Sequence, residues 1–175
     1  MESVVVTTAG AHDLAKLAAV AAATFPLACP PSATAENIAA FVADNLSAAR
    51  FGEYLTDPDR TVFVARDDTR ILGYAMVIHR RTTDPDVLAV LPDGQVAELS
   101  KIYVTPDAHG GQVAAALMRA AIDDAEQRGA ETLWLGVNQQ NERAQRFYRK
   151  HGFAVSGTKS FQLGDVVEND YVMTR

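Results

Sequence analysis

The chain has 175 residues, enough for one domain with a sizeable core, and 48% hydrophobic with 22% charged residues is a globular rather than a disordered composition. A net charge of −6 argues against nucleic-acid partners, whose binding rests on Lys and Arg neutralising phosphates, and it raises the local concentration of small cations. Cys29 is the only cysteine, so an intrachain disulfide is excluded and a reducing, cytoplasmic setting is expected. It lies in Leu27-Ala28-Cys29-Pro30-Pro31 with no basic neighbour to lower its pKa, and reads as structural. The Ala-rich run Leu14 to Ala23 is interrupted by Lys16, lacks a basic leader and is too short to span a bilayer, so neither signal peptide nor membrane span is expected.

In chain order, Glu2 to Thr7 reads as a strand and His12 to Phe25 as a helix, with Leu14, Leu17, Ala18 and Ala21 at spacings of three and four. Pro26, Pro30 and Pro31 are expected to end it. Thr34 is a good N-cap for a second helix, which puts Ile38, Phe41, Val42 and Leu46 on one face, and a short helix follows over Arg50 to Leu55. Strands are predicted over Thr61 to Arg66 and Ile71 to His79, about an Asp67-Asp68 turn. Arg80 to Gly94 is polar and carries prolines, and reads as an excursion loop. A long strand, Gln95 to Val104, precedes a helix from Gly111 to Arg128 that stops at Gly129. A strand over Thr132 to Val137 leads to a helix over Asn141 to His151. Phe153 to Phe161 and Val166 to Met173 then form a hairpin about Gly164-Asp165. The order β-α-α-β-β-β-α-β-α-β-β describes one α/β domain spanning residues 1–175, with a mixed sheet.

The segment after Tyr103-Val104-Thr105-Pro106 supplies a strand, a turn with two glycines and a helix start, His109-Gly110-Gly111-Gln112-Val113-Ala114. A helix N-terminus carries unpaired N–H groups and partial positive charge, and small residues let an anion approach the backbone. The stretch "ELSKIYVTPDAHGGQVAAALMRAAIDDAEQRG" resembles the core motif of the GCN5-related N-acetyltransferases (GNAT), whose loop [Q/R]-x-x-G-x-[G/A] holds the pyrophosphate of acetyl-CoA on backbone N–H groups. Ala114 matches the last position. His109 stands where Gln or Arg is usual and Gln112 where Gly is usual. Neither departure removes a backbone donor, provided that Gln112 adopts a helical backbone and turns its side chain away.

"TLWLGVNQQNERAQRFYRKHGF" extends the resemblance, with Asn141 and Tyr148 at the family's helix positions. The resemblance implies a mixed, mostly antiparallel sheet splayed between its fourth and fifth strands, flanked by about four helices. It implies acetyl-CoA as co-substrate, and the scattered histidines give no reason to expect a metal. It implies cofactor-binding positions at Ile102, Tyr103, Val104, His109, Gly110, Gly111, Gln112, Val113, Ala114, Asn141 and Tyr148. Tyr148 is the candidate acid that protonates the departing thiolate, and backbone donors near Ile102 to Val104 are candidates for the oxyanion. Glu98 is the candidate base. Asn141 also reads as a plain helix N-cap, and Phe147 as core.

The tail "SGTKSFQLGDVVENDYVMTR" is similar to that of bacterial Pai-type spermidine/spermine N-acetyltransferases, through Gly157, Thr158, Ser160, Phe161, Gly164, Asp165, Asp170 and Met173. The acceptor this implies is a polyamine or another small cationic amine, which attacks directly in a ternary complex. Its candidate carboxylates are Glu36, Asp44, Glu53, Asp84, Asp86, Asp93 and Glu98, whereas Arg80 and Arg81 at the start of the excursion disfavour a cation. A protein lysine or N-terminal acetyltransferase and a CoA-binding sensor with little turnover remain open. Neither nucleic acid nor a membrane is an expected partner. Members of the family are often homodimers. His12, His79, His109 and His151 show no paired metal-ligand spacing.

Overall fold

The structure is a computed structural model that describes residues 3–175, so Glu2 at the start of the expected first strand lies outside the described residues. Seven strands form one sheet: β1 Val5–Thr8, β2 Arg60–Arg66, β3 Ile71–Ile78, β4 Val96–Val104, β5 Thr132–Asn138, β6 Ala154–Leu163 and β7 Val166–Thr174. Their order is β1-β2-β3-β4-β5-β7-β6. Every neighbouring pair is antiparallel except β4 and β5. The helices are α1 Leu14–Ala28, α2 Ala35–Asn45, α3 Ala48–Thr56, α4 Pro85–Leu88, α5 Val113–Gln127 and α6 Glu142–Lys150. No helix among the described residues is long and apolar enough to cross a membrane.

α2, α3 and α6 begin where side-chain caps satisfy one of their first N–H groups. Thr34 accepts from Asn37 N at 3.1 Å, Ser47 from Arg50 N at 3.1 Å and Asn141 from Ala144 N at 3.2 Å. Pro26 does not end α1, which continues to Ala28. Proline's fixed φ is itself helical, and what it loses is the single N–H bond back towards Ala22. With Leu17, Ala21 and Phe25 pinned in the core, the last turn survives, closed by Cys29 N on the Pro26 carbonyl. The excursion loop is likewise not structureless. Asp84 caps α4 through Asp86 N at 3.0 Å with Pro85 in its first turn, and Val87 and Leu91 pack with Val96, Trp134 and Val172.

β3 is buried on both faces, so its alternation divides the core in two. Ala75 and Val77 face α5 with Leu99, Leu117 and Met118, whereas Tyr74 and Met76 face α1 and α3 with Leu17 and Phe51. Gly73 allows β3 and β4 to approach, because a Cβ there would lie 2.7 Å from the Tyr103 carbonyl oxygen.

Candidate active site

β4 and β5 are joined by only three residue pairs, Val96 with Thr132, Ala97 with Leu133 and Glu98 with Trp134. Beyond Glu98 the two strands part. β5 continues on β7 from Trp134 to Asn138, while β4 continues on β3, so the edge of β4 towards Val104 faces a gap. This is the splay expected between the fourth and fifth strands. A cleft of about 1030 Å³ runs through it, lined on one side by the loop before α5 and by α6, and on the other by α1 and the β6–β7 hairpin.

A bulge sets which β4 side chains enter the cleft. Met76 pairs with Lys101 and Val77 with Leu99, leaving Ser100 as an extra residue without a partner. Leu99 and Ile102 therefore both belong to the α5-facing core, and Glu98, Lys101 and Tyr103 line the cleft. Simple alternation would have put Glu98 and Lys101 on opposite faces.

The loop before α5 is a one-turn 3₁₀ helix, Pro106–Ala108, followed by His109 to Gln112. Gly110 has φ +79°, where a side chain would be strained, and nothing stands within 4 Å of where its Cβ would be. Gln112 is the N-cap of α5, with φ −92° and ψ 3°, an exposed side chain and no side-chain cap bond. Among the described residues, the N–H groups of Gln112, Val113, Ala114 and Ala115 have no bond, so the helix opens towards the cleft with its donors free. The His109 ring lies between two partners, with Nε2 2.9 Å from the Val104 oxygen and Nδ1 2.9 Å from an Arg143 nitrogen.

Asn141 caps α6, and seven residues later Tyr148 lines the cleft between Phe147 and Phe153. Burial raises the Tyr148 phenol above its ordinary pKa, so it is fully protonated at neutral pH, as an exposed phenol would also be. Glu98, Ile102, Tyr103, Val104, His109, Gly110, Gly111, Ala114, Asn141 and Tyr148 all converge on this one cleft. Val113 does not, because its side chain is in the core, and Gln112 has its side chain in solvent.

At the far end of the cleft lies a chamber with charged walls. Glu98 is half-buried at the fork, and burial raises its pKa. Asp170 on β7 has an oxygen 3.4 Å from where a Cβ on Gly136 would stand, so the bare glycine leaves room over the floor. Burial pushes Asp170 up to about 6. Glu168 accepts from Ser32 Oγ at 3.1 Å, and Lys159 lies 3.6 Å from Asp84. Of the acidic residues expected from sequence, only Glu98 lines the cleft. Glu168 and Asp170 were missed, although their spacing of two on a strand was a legible sign that they share a face. The expectation about Arg80 and Arg81 is corrected: Arg80 pairs with Asp57 and Asp59, and Arg81 donates to the Pro92 and Gly94 carbonyls, both outside the chamber. Cys29 lines the roof with its thiol on the Phe25 carbonyl at 3.4 Å and burial pushing it up to about 11, as an unreactive structural thiol requires.

A glycine-permitted turn, a helix opening its free N–H groups onto a cleft and a sheet split beside it define a site for a phosphate-bearing, extended co-substrate. The acetyltransferase (GNAT) family model matches residues 27–153, and the chain belongs to this family. It is 56% identical over 163 residues to an uncharacterized N-acetyltransferase of Mycobacterium tuberculosis, covering 93% of this chain and 97% of the relative. The fold is similar to that of the PaiA N-acetyltransferase from Thermoplasma acidophilum in complex with coenzyme A, at TM-score 0.77 and 19% identity, over 99% of this chain and 98% of that one. It is also similar to the ribosomal-protein-S18-alanine N-acetyltransferase from Escherichia coli, at TM-score 0.68 and 21% identity, over 98% and 92%. The chain is thus an N-acetyltransferase with acetyl-CoA as co-substrate. The free N–H groups at Gln112 to Ala115 and the open side of Gly110 fit a pyrophosphate.

Proposed function

We propose that the chain acetylates a primary amine on a small molecule, with polyamines the first class to assay, by direct attack of the amine in a ternary complex. The observation that carries this reading is the continuity of the cleft. One end has unpaired backbone donors, and the other has the carboxylates Glu98, Glu168 and Asp170 behind the split between β4 and β5.

In this reading the loop from His109 to Ala114 holds the pyrophosphate through N–H groups, and the edges of β4 and β5 receive the extended arm. Ile102, Tyr103 and Val104 supply the β4 edge, and Asn141 contributes its free amide nitrogen while it caps α6. Glu98 takes the proton of the incoming ammonium. Its raised pKa is a cost of burial, and it makes the carboxylate a better proton acceptor near neutrality. Tyr148, protonated at neutral pH as phenols ordinarily are, donates to the sulfur as the thiolate departs.

The test is release of free CoA from acetyl-CoA with spermidine, against a no-amine blank. Saturable release supports the reading. Release only with peptides bearing lysine or a free N-terminus would replace it by protein acetylation, and binding without release would replace it by a sensor.

A further inference from the structure

We propose that the acceptor carries a carboxylate or comparable anionic group besides its reacting amine, with the amine held by Glu98 and Asp170 and the anion by Lys101. This rests on reading the chamber as the amine side of the acetyl-transfer site.

Five charged side chains face the chamber: Glu98 and Lys101 from β4, Lys159 from β6, and Glu168 and Asp170 from β7. Two of them have partners, Glu168 on Ser32 and Lys159 on Asp84 and the Ser160 carbonyl. The side chains of Glu98, Lys101 and Asp170 make no hydrogen bond or ion pair among the described residues. Lys101 lies with its ammonium 5.8 Å from the centre of the Phe41 ring. Burial lowers it to about 8, so it is still largely protonated at pH 7. A fourth group is the Trp134 indole N–H, buried in the wall of the same cleft with no partner. Glu98 and Lys101 are half-buried, and Asp170 and the Trp134 indole are buried; charges and donors so placed are ordinarily satisfied by protein, water or ligand.

The unpaired set contains both signs, two carboxylates against one ammonium and an indole donor. A polyamine offers only cations. It would satisfy Glu98 and Asp170 and set its own charge against Lys101. A molecule with an amine and a carboxylate matches both halves, because its anion accepts from Lys101, with the Trp134 N–H available as a second donor. The Ser100 bulge is what turns Lys101 into this chamber beside Glu98. Without it the cation would be on the other side of the sheet.

The test compares amines that differ only by a carboxylate, L-lysine against cadaverine and L-ornithine against putrescine, by initial rates of CoA release. The carboxylate-bearing member of at least one pair should have kcat/KM higher by about tenfold or more, the scale of one charge-assisted hydrogen bond. Lys101→Met should bring that ratio close to one, and Lys101→Arg should keep most of it. Thermal melting of both variants checks that they fold. Equal or better turnover of both decarboxylated partners by the wild type overturns the proposal, as does a Lys101→Met ratio that stays unchanged. Acetyl-CoA binding with no release from any of the four amines also overturns it. Failure to bind acetyl-CoA at all strikes down the acetyl-transfer reading and this inference with it.

Discussion

His109 Nε2 lies 2.9 Å from the Val104 carbonyl oxygen, so the ring ties the loop before α5 back to the end of β4. A ring nitrogen facing a carbonyl must be the donor, which leaves Nδ1 to accept from Arg143. Where the family pattern has Gln or Arg, this chain has a strut that also holds a cation beside the loop before α5. His109→Ala should raise the KM for acetyl-CoA about fivefold, the scale of one hydrogen bond, with kcat nearly unchanged. His109→Gln should restore part of the loss, and steady-state kinetics with acetyl-CoA varied would show both.

Gln112 occupies the N-cap with an ordinary negative φ, so it gains nothing from being glycine. Gln112→Gly should leave the KM for acetyl-CoA within about twofold. Gly110 is the position that needs its hydrogen, at φ +79°. Gly110→Val should strain the turn by about 1–2 kcal/mol and weaken acetyl-CoA binding, read by calorimetry. A large gain from Gln112→Gly would mean that the loop binds phosphate in a conformation other than the one described.

Tyr148→Phe should lower kcat by about tenfold or more and barely change acetyl-CoA affinity, because the ring stays in its packing against Phe147 and Phe153 while the proton donor goes. Unchanged kcat would remove Tyr148 from the chemistry.

For Glu98 the sign of the pH effect follows from burial, which raises its pKa above the ordinary glutamate value against the opposing influence of Lys101, Lys159 and Arg60. A base works deprotonated, so kcat/KM should fall as pH drops through that raised pKa, earlier than an exposed glutamate would allow. Glu98→Gln should cut kcat by about tenfold or more and flatten this limb of the profile. A limb that persists in the variant would transfer the proton acceptor to Asp170 or to water.

Much of this site was legible in the chain because its parts are local. The Gly110-Gly111 turn, the Asn141 cap and Tyr148 seven residues later each lie on one element, and the family spacing ties them together. What was not legible depends on neighbours distant in sequence. The Ser100 bulge is a fact about β3 as much as β4, and alternation along β4 alone misassigns Lys101. Pro26 reads as a helix stop until Leu17 and Phe25 are seen anchored in the core. The four-residue α4 is too short for any periodicity, and only its Asp84-Pro85 start was a visible signal. The partners of Arg80 and Arg81 come from Asp57, Asp59 and two backbone carbonyls, which no local pattern reveals.

A stability prediction lies away from the cleft. Asp13 is 1% exposed, and its carboxylate accepts from both terminal nitrogens of Arg66, at 3.0 and 2.9 Å, and from Gly10 N. The Arg66 hydrogen bonds hold it below the ordinary aspartate pKa. A depressed folded pKa contributes stability above the unfolded value and loses it as pH falls through the folded one. Asp13→Asn should cost about 2–3 kcal/mol at pH 7, less than a fully buried pair because Arg66 can still hydrate. The gap from wild type in denaturant unfolding should close as pH drops below about 4.

The extra residue at Ser100 makes the chamber's chemistry a matter of parity. Residues up to Leu99 are counted in one phase of the pleat and those from Lys101 in the other, with β3 as the ruler. Deleting Ser100 would leave every charged side chain of the chamber in the chain. It would nonetheless force a choice between keeping Glu98 in the cleft and keeping Lys101 there, with Leu99 or Ile102 turned out of the core in exchange. The placing of opposite charges on one side of the sheet is therefore written in a residue count, and a transplant of this strand into another scaffold must carry the miscount with it.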